Sequence, residues 1–189
     1  IFFIQLELLL IINDELIAKS IEFGEVSADD HVLEIGPGPG VLTEALLATG
    51  CKVTAIEIDA GAVDHLRSVF SKDIANKDLI LHHGDALQLK WPSKITKVVA
   101  NIPYQISSPL IDLLTRFLRV QWKDCLVKVI LLVQEEFAER LVMEYESDVG
   151  SLGMTALLDW QCEILAKVAP HHFSPNPKVN SCFIEMMPS

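Results

Sequence analysis

Three short stretches of this chain carry residue types suited to holding a nucleotide-like ligand, and they occur in order. The first is "EIGPGPG", where Gly36, Gly38 and Gly40 alternate with other residues after an apolar run. Glycines let a backbone turn tightly and approach a ligand, and a helix beginning at once adds its free N–H groups at the same place. The spacing is G-x-G-x-G, not the dinucleotide G-x-G-x-x-G. The second stretch is "AIEID". A carboxylate at a strand end offers only acceptors and can take both hydroxyls of a ribose; Glu57 is the better candidate and Asp59 sits one step past it. The third is "HHGDAL", where Asp85 can accept from an adenine amino group and Gly84 lets the chain come close. Together they describe a site for an adenosine-containing cofactor. NAD and S-adenosylmethionine both meet that description.

A fourth stretch, "NIPYQISSP", separates the two. Hydride transfer has no evident use for Asn-Ile-Pro-Tyr, whereas methylation of a planar exocyclic amine does. Such an amine is a poor nucleophile because its lone pair is delocalised into the ring. Two acceptors can hold its hydrogens and draw the nitrogen toward a tetrahedral shape. The side-chain oxygen of Asn101 and the backbone carbonyl of Ile102 are the candidate acceptors. Pro103 adds no donor and fixes the backbone, and Tyr104 can stack on an extruded base. The expected cofactor is therefore S-adenosylmethionine, whose sulfonium charge makes a strong general base unnecessary.

These stretches need strand ends to present them. "HVLEIG", "KVTAIEID", "LILHHGDA", "KITKVVANIP" and "VKVILLVQ" read as apolar strands, with "CEILAKV" and "NSCFIEMM" as two final ones. Between them "NDELIAKSIEFG", "VLTEALLATG", "AGAVDHLRSVFSK", "SSPLIDLLTRFLR" and "EEFAERLVMEY" read as helices, the first capped by Asn13 or Asp14 and ended by Gly24, the fourth with a serine cap. Alternation of this kind, over seven candidate strands, predicts an α/β fold with a doubly wound, mostly parallel sheet. Ligands of such sheets bind beyond the carboxyl ends of the strands, near the point where strand order reverses.

Bulk properties set the limits. The 189 residues, half of them apolar and 22% charged, fit one globular domain over 1–189. Cys51, Cys125, Cys162 and Cys182 are widely spaced with no CxxC pair, which argues against a zinc site or a disulfide framework and for a reducing compartment. "IFFIQLELLLII" carries Glu7 and is too short to span a bilayer, so it reads as a packed helix or strand and no membrane partner is expected. The pairs His82–His83 and His171–His172, read as strand residues, point to opposite faces, and no metal is expected. The net charge of −11 runs against a nucleic-acid partner. Lys90, Lys94, Lys97, Arg116, Arg119, Lys123 and Lys128 gather around the fourth and fifth strands as a candidate local basic face.

With these motifs in order, the chain resembles the small-subunit ribosomal RNA adenine N6,N6-dimethyltransferases (dimethyladenosine transferases) from about "NDELIAK" to its end. "VLEIGPGPGVLT", "AIEID", "GDAL" and "NIPYQISSP" look like successive motifs of that family, and "VQEEFAERL" and "FSPNPKVNS" look like its later segments. The resemblance implies a Rossmann-like class I methyltransferase domain, a doubly wound, mostly parallel seven-stranded sheet with its last strand antiparallel. It implies two transfers from S-adenosylmethionine to N6 of neighbouring adenosines near the 3′ end of small-subunit rRNA, within ribosome biogenesis. It assigns cofactor contacts to Ile12, Gly36, Gly38, Glu57, Ile58, Asp85, Ala86 and Asn101, catalysis to the Asn101–Tyr104 stretch, and the target-base pocket to Tyr104 and Phe173. A monomer working inside the cell, in cytoplasm, nucleolus or an organelle, with the pre-ribosomal small subunit as partner, goes with it.

The chain departs from that family in two places. The usual Gln-Asn-Phe-Leu before the first helix is replaced by "LLLII", leaving Ile12 to supply a backbone contact, and the chain stops where a small helical RNA-gripping domain is expected. Two other readings follow. One is a methyltransferase acting on DNA adenine or a glutamine amide. The other is a non-catalytic RNA-binding assembly or transcription factor on the same fold.

Overall fold

The computed structural model describes residues 10–11, 13–142 and 158–189. Its main sheet is built from β2 (His31–Ile35), β3 (Lys52–Glu57), β4 (Leu79–His83), β5 (Lys97–Asn101), β6 (Lys128–Gln134), β7 (Trp160–Val168) and β9 (Ser181–Pro188). Their order across the sheet is β4-β3-β2-β5-β6-β9-β7. The chain moves outward from β2 to β4, then returns to the other side of β2 to lay down β5. That reversal puts the switch point between β2 and β5. All neighbours among β2 to β6 are parallel, while β9 runs antiparallel to both β6 and β7. The expected sheet is thus present, with the last strand inserted between two others rather than added at the edge.

Side-chain alternation explains the layers. In β2, Val32 joins a cluster with Ile17, Leu46, Val53 and Leu66, beneath α1 (Asp14–Gly24), α2 (Val41–Ala48) and α3 (Ala60–Val69). Leu33 and Ile35 face the other way, into a larger cluster beneath α5 (Tyr104–Phe117) and α6 (Glu135–Val142). β5 and β6 lie in the middle of the sheet and are buried on both faces until their last residue, as their unbroken apolar runs require. Where a further helix might lie between β4 and β5, residues 84–96 cross the sheet as turns. Trp91 holds them down, stacking on Phe117 and Trp122 with centroids 5.0 and 5.6 Å away. Its indole N–H donates to the Ala86 carbonyl at 2.8 Å, so the aromatic stack also fixes the turn after β4.

Several local expectations need correction. Asn13 does cap α1, accepting from the Glu15 N–H at 2.8 Å, but the left-handed residue that closes this helix is Glu25 (φ 48°), not Gly24. Gly24 is closely packed: a Cβ there would sit 3.0 Å from the Val26 side chain, which would have to give way slightly. The single helix expected over 60–72 breaks at Phe70 into α3 and α4 (Ser71–Ala75). Helix α5 begins at Tyr104, so Ser107 is not its cap. The Ser107 hydroxyl donates back to the Pro103 carbonyl at 3.1 Å, and Pro109 sits inside the helix. After Phe117 the chain widens into a π-helical turn, Leu118–Trp122. Of the apolar N-terminal stretch, Leu10–Ile11 form β1 against β8 (Phe173–Ser174); the rest lies outside the described residues.

Two of the seven basic residues read as a surface face are buried anchors at the opposite end of the sheet from the motifs. Lys97 meets Asp30 at 3.1 Å and the Glu25 carbonyl; Lys128 meets Glu25 at 2.6 Å and Glu185 at 2.8 Å. A third, Arg119, is held by Asp159. Partial burial pulls the Lys128 ammonium down, but the hydrogen bonds it donates to Glu185 and Glu25, with their charges, outweigh it and leave its pKa raised. Its contribution to stability is therefore complete below the ordinary lysine value and fades only as pH rises through the raised one. Lys128→Met should cost roughly 2 kcal/mol in urea unfolding at pH 7, less than a fully enclosed pair because solvent reaches part of the network. A loss below a few tenths would show that the network is not an anchor.

Candidate active site

The four motifs end on the same edge of the sheet. β2 ends at Ile35 and Gly36 follows, its N–H donating to the Ile56 carbonyl of β3 at 2.9 Å. Gly84, after β4, donates in the same way to the Glu57 carbonyl at 2.9 Å. These bonds carry the sheet ladder one step past the strands. On the far side of β2, Asn101 closes β5 in register with Leu132, and the Ile102 N–H donates to the Leu132 carbonyl at 3.0 Å. Asn101 is half-buried, and the Ile102 side chain is buried, which leaves its backbone as the part available to a ligand. Pro103, in extended conformation (ψ 141°), turns the chain into α5.

Glu57 organises the loop side. It is 1% exposed, and each carboxylate oxygen accepts a backbone N–H: Oε2 from Gly38 and Oε1 from Asp59, both at 2.9 Å. A buried carboxylate needs such partners. Here they shape the glycine loop and the start of α3 together. A carboxylate offers about four lone-pair sites, so acceptor capacity for ribose hydroxyls remains. Asp59 has a different task from the one considered for it: its Oδ1 caps α3 by accepting from the Ala62 N–H at 2.7 Å. Ile58, between the two acids, is 50% exposed and offers an apolar ledge beside them. In the turn after β4, Asp85 Oδ1 accepts from the Leu87 N–H at 2.9 Å, and Ala86 is buried.

Two glycines of the loop differ in kind. Gly40 (φ 92°) has no room for a side chain, since a Cβ would lie 2.6 Å from the Phe70 ring. Gly36 (φ 68°) has nothing within 4 Å of a Cβ position. Sterics inside the protein thus require Gly40, while the open side of Gly36 is where another molecule can approach the backbone. That opening, beside Glu57, Ile58 and Asp85, fits an adenosine-bearing cofactor.

Sequence reasoning passed over Glu34. It is 1% exposed within β2, and the Thr43 hydroxyl of α2 donates to its Oε2 at 2.6 Å, tying strand to helix under the loop. Burial raises its carboxyl to about 8, opposed by the Thr43 hydrogen bond and reinforced by the charge of Glu57. The available signal was one acid inside an otherwise apolar strand. Glu135 and Asn180 were also passed over: the Glu135 N–H donates to the Asn180 carbonyl at 3.0 Å and the Asn180 amide to Glu135 Oε2 at 3.2 Å.

Other assigned residues fall elsewhere. Phe173 does not face an open pocket: it is 1% exposed and packs with Leu16, Ile130, Leu132, Val168 and Phe183. Its place in β8, paired with Ile11, turns the ring into the core. Ile12 lies outside the described residues, as does the side chain of Tyr104, whose backbone opens α5. His171 and His172 lie on a 3-10 turn rather than a strand, with rings 4.0 Å apart, and His172 Nδ1 meets the Asn13 amide at 2.7 Å. Among the described residues no group of three or more His, Cys, Asp or Glu side chains is placed to hold a metal. None of the four cysteines is joined in a disulfide. No described helix is long and apolar enough to cross a membrane.

Strand order, the glycine loop at the switch point and the antiparallel β9 define a Rossmann-like methyltransferase fold. A family model described as ribosomal RNA adenine dimethylase matches residues 7–189, and the chain belongs to that family. The probable ribosomal RNA small subunit methyltransferase A of Haloarcula marismortui is 39% identical over 159 residues, 84% of this chain and 53% of that protein. The solved structure of a dimethyladenosine transferase from Plasmodium falciparum superposes with a TM-score of 0.79 at 31% identity, over 95% of this chain and 63% of that one. The 23S rRNA methyltransferase ErmE gives the same TM-score at 27% identity, over 94% and 68%. The chain thus spans between half and two-thirds of the length of its first relatives.

Glu34 generates a test of the loop's foundation. Below about pH 4.5 it is protonated in both folded and unfolded chains. Between there and about 8 the unfolded chain loses the proton and the folded one keeps it, so stability falls as pH rises and levels off above. Glu34→Gln keeps an acceptor for Thr43 and removes the titration. Thermal melts should show the variant gaining on the wild type from pH 5 to pH 8; parallel curves would mean that Glu34 is ionised in the folded protein.

Proposed function

We propose that the chain is the catalytic part of an S-adenosylmethionine-dependent rRNA adenine N6,N6-dimethyltransferase, modifying two adjacent adenosines near the 3′ end of small-subunit rRNA during ribosome biogenesis. The observation that carries this reading is the adjacency of β2 and β5, which sets the glycine loop beside Asn101 at the switch point. Gly36 and Gly38 would carry the methionine side of the cofactor, Glu57 the ribose hydroxyls, and Ile58, Asp85 and Ala86 the adenine. Bound S-adenosylmethionine supplies an electrophilic methyl group already activated by its sulfonium charge.

The chain's own residues then act on the acceptor. The Asn101 amide oxygen and the Ile102 carbonyl accept the two hydrogens of the adenine N6 amine. That arrangement localises the nitrogen lone pair and aims it along the line of attack. Pro103 cannot donate, so it presents no N–H that would compete for the amine. Tyr104, next in the chain, takes the extruded base by stacking. The carbon–nitrogen bond would form as the methyl–sulfur bond breaks and its electron pair stays on sulfur as the neutral thioether; the nitrogen, made positive, loses a proton to solvent, and a second transfer repeats the geometry with one hydrogen fewer.

A large-subunit acceptor is the second reading, because ErmE superposes as well as the dimethyladenosine transferase. The curated relative named for the small subunit favours the first. With an rRNA substrate the enzyme would work inside the cell, where its thiols would stay reduced. Labelled methyl transfer onto small-subunit particles, 23S fragments, DNA and protein separates the acceptors. Asn101→Ala should lower transfer about 100- to 1000-fold with RNA binding retained, and full activity in that variant would refute the mechanism. Gly36→Ala, which adds a methyl into open space, should weaken cofactor binding by calorimetry while costing only about 1 kcal/mol of stability for its positive φ.

A further inference from the structure

The edge that carries Asn101 continues, beyond β6, into the segment 174–180. β9 runs antiparallel to β6, with Leu132 opposite Phe183 and Gln134 opposite Ser181. The chain entering β9 therefore arrives at the same end of the sheet as Asn101, which pairs with Leu132 from the other side. With strands about 4.8 Å apart, Asn101 and the start of β9 flank the end of β6 at roughly 10 Å. Lys178 and Val179 on this segment are exposed, a cation and an apolar side chain beside the point where an acceptor would enter.

Between β8, which ends at Ser174, and β9, which starts at Ser181, the segment forms no strand or helix. Its anchor is Glu135, the first residue of α6. The Glu135 N–H donates to the Asn180 carbonyl at 3.0 Å, and Asn180 Nδ2 donates to Glu135 Oε2 at 3.2 Å. The other carboxylate oxygen, Oε1, takes the Lys167 ammonium of β7 at 2.6 Å. Asn180 is thus gripped through both backbone and side chain. Lys167 neutralises the carboxylate, so the clamp does not repel a phosphate strand. The Lys167 and Asn180 hydrogen bonds hold the Glu135 carboxyl below the usual glutamate range, which keeps the clamp ionised near neutral pH.

We propose that Glu135 is a positioning residue for the RNA acceptor: through Asn180 it clamps the 174–180 segment to the end of β6 and sets where Lys178 and Val179 stand relative to Asn101. The proposal rests on the functional reading above and adds to it which element guides the RNA. It places Glu135 outside the cofactor site, so its loss should be felt by the RNA and not by the cofactor.

Steady-state methyl transfer by the 189-residue chain, with small-subunit RNA varied, reads this directly. Glu135→Ala and Asn180→Ala should each raise KM for RNA about tenfold, with kcat changed less than about threefold. Calorimetric affinity for S-adenosylhomocysteine should stay at the wild-type value. Glu135→Gln, whose amide oxygen still accepts from Asn180, should recover most of the loss. The double alanine variant should be no worse than either single one. Unchanged KM in both single variants, additive losses, or cofactor affinity falling in step with KM would each overturn the positioning role in favour of a purely structural contact. If the wild-type chain transfers no methyl group to RNA, the functional reading fails and takes this one with it. A working wild type beside unaffected variants defeats this inference alone.

Discussion

The site depends on one buried carboxylate. Glu57 lies at the end of β3 with almost no exposure, and a charge in that position must be met by donors from the protein. It finds them in the backbone of Gly38 and Asp59, while its own carbonyl takes the Gly84 N–H. One residue thereby binds the glycine loop, the start of α3 and the turn after β4 into a single rim. None of those segments has regular structure of its own at that point. Without Glu57 the Gly38 and Asp59 N–H groups would have to be satisfied some other way, and the glycine loop would lose its tie to the end of β3.

The two ends of the sheet divide the work. At the amino end of β5 and β6, Lys97 and Lys128 are spent on internal ion pairs with Asp30, Glu25 and Glu185. At the carboxyl end, the polar groups of Glu57, Asp85 and Asn101 are half-buried or anchored by backbone. A parallel sheet makes this division natural, because helices return the chain along the faces and leave loops at both ends. One set of loops can be welded shut while the other is shaped around a ligand. Lys97 and Lys128, which look like part of an RNA-facing patch in the sequence, are held in internal ion pairs, so the basic surface available to phosphates is smaller than the count of basic residues suggests.

Much of this could be read from residues alone. The apolar runs of β2, β3, β5 and β6 announce buried parallel strands, and the residues just past them announce the site, because that fold presents ligands only at strand ends. Where local reading failed, a tertiary contact outweighed a local preference. Gly24 looked like the helix terminator, yet Glu25 takes the left-handed turn because its carbonyl and carboxylate reach Lys97 and Lys128. Ser107 looked like a cap, yet it bonds back to Pro103 inside a helix that starts earlier. Phe173 looked like a wall of the base pocket, yet the pairing of β8 with β1 turns it inward.

By itself, then, the sequence determined the kind of sheet, the order of its motifs and the family to which the chain belongs. Periodicity and strand-end chemistry are local and survive in a string of letters. Only the tertiary structure decided which strands are neighbours, and hence that the glycine loop and Asn101 share a switch point although 60 residues of chain lie between Gly40 and Asn101. It also decided which charges are paired, that Glu34 sits in a protonating environment, and that Glu135 grips Asn180 from 45 residues away. Burial and long-range pairing depend on what the fold brings alongside a residue, and nothing in the neighbouring letters records that.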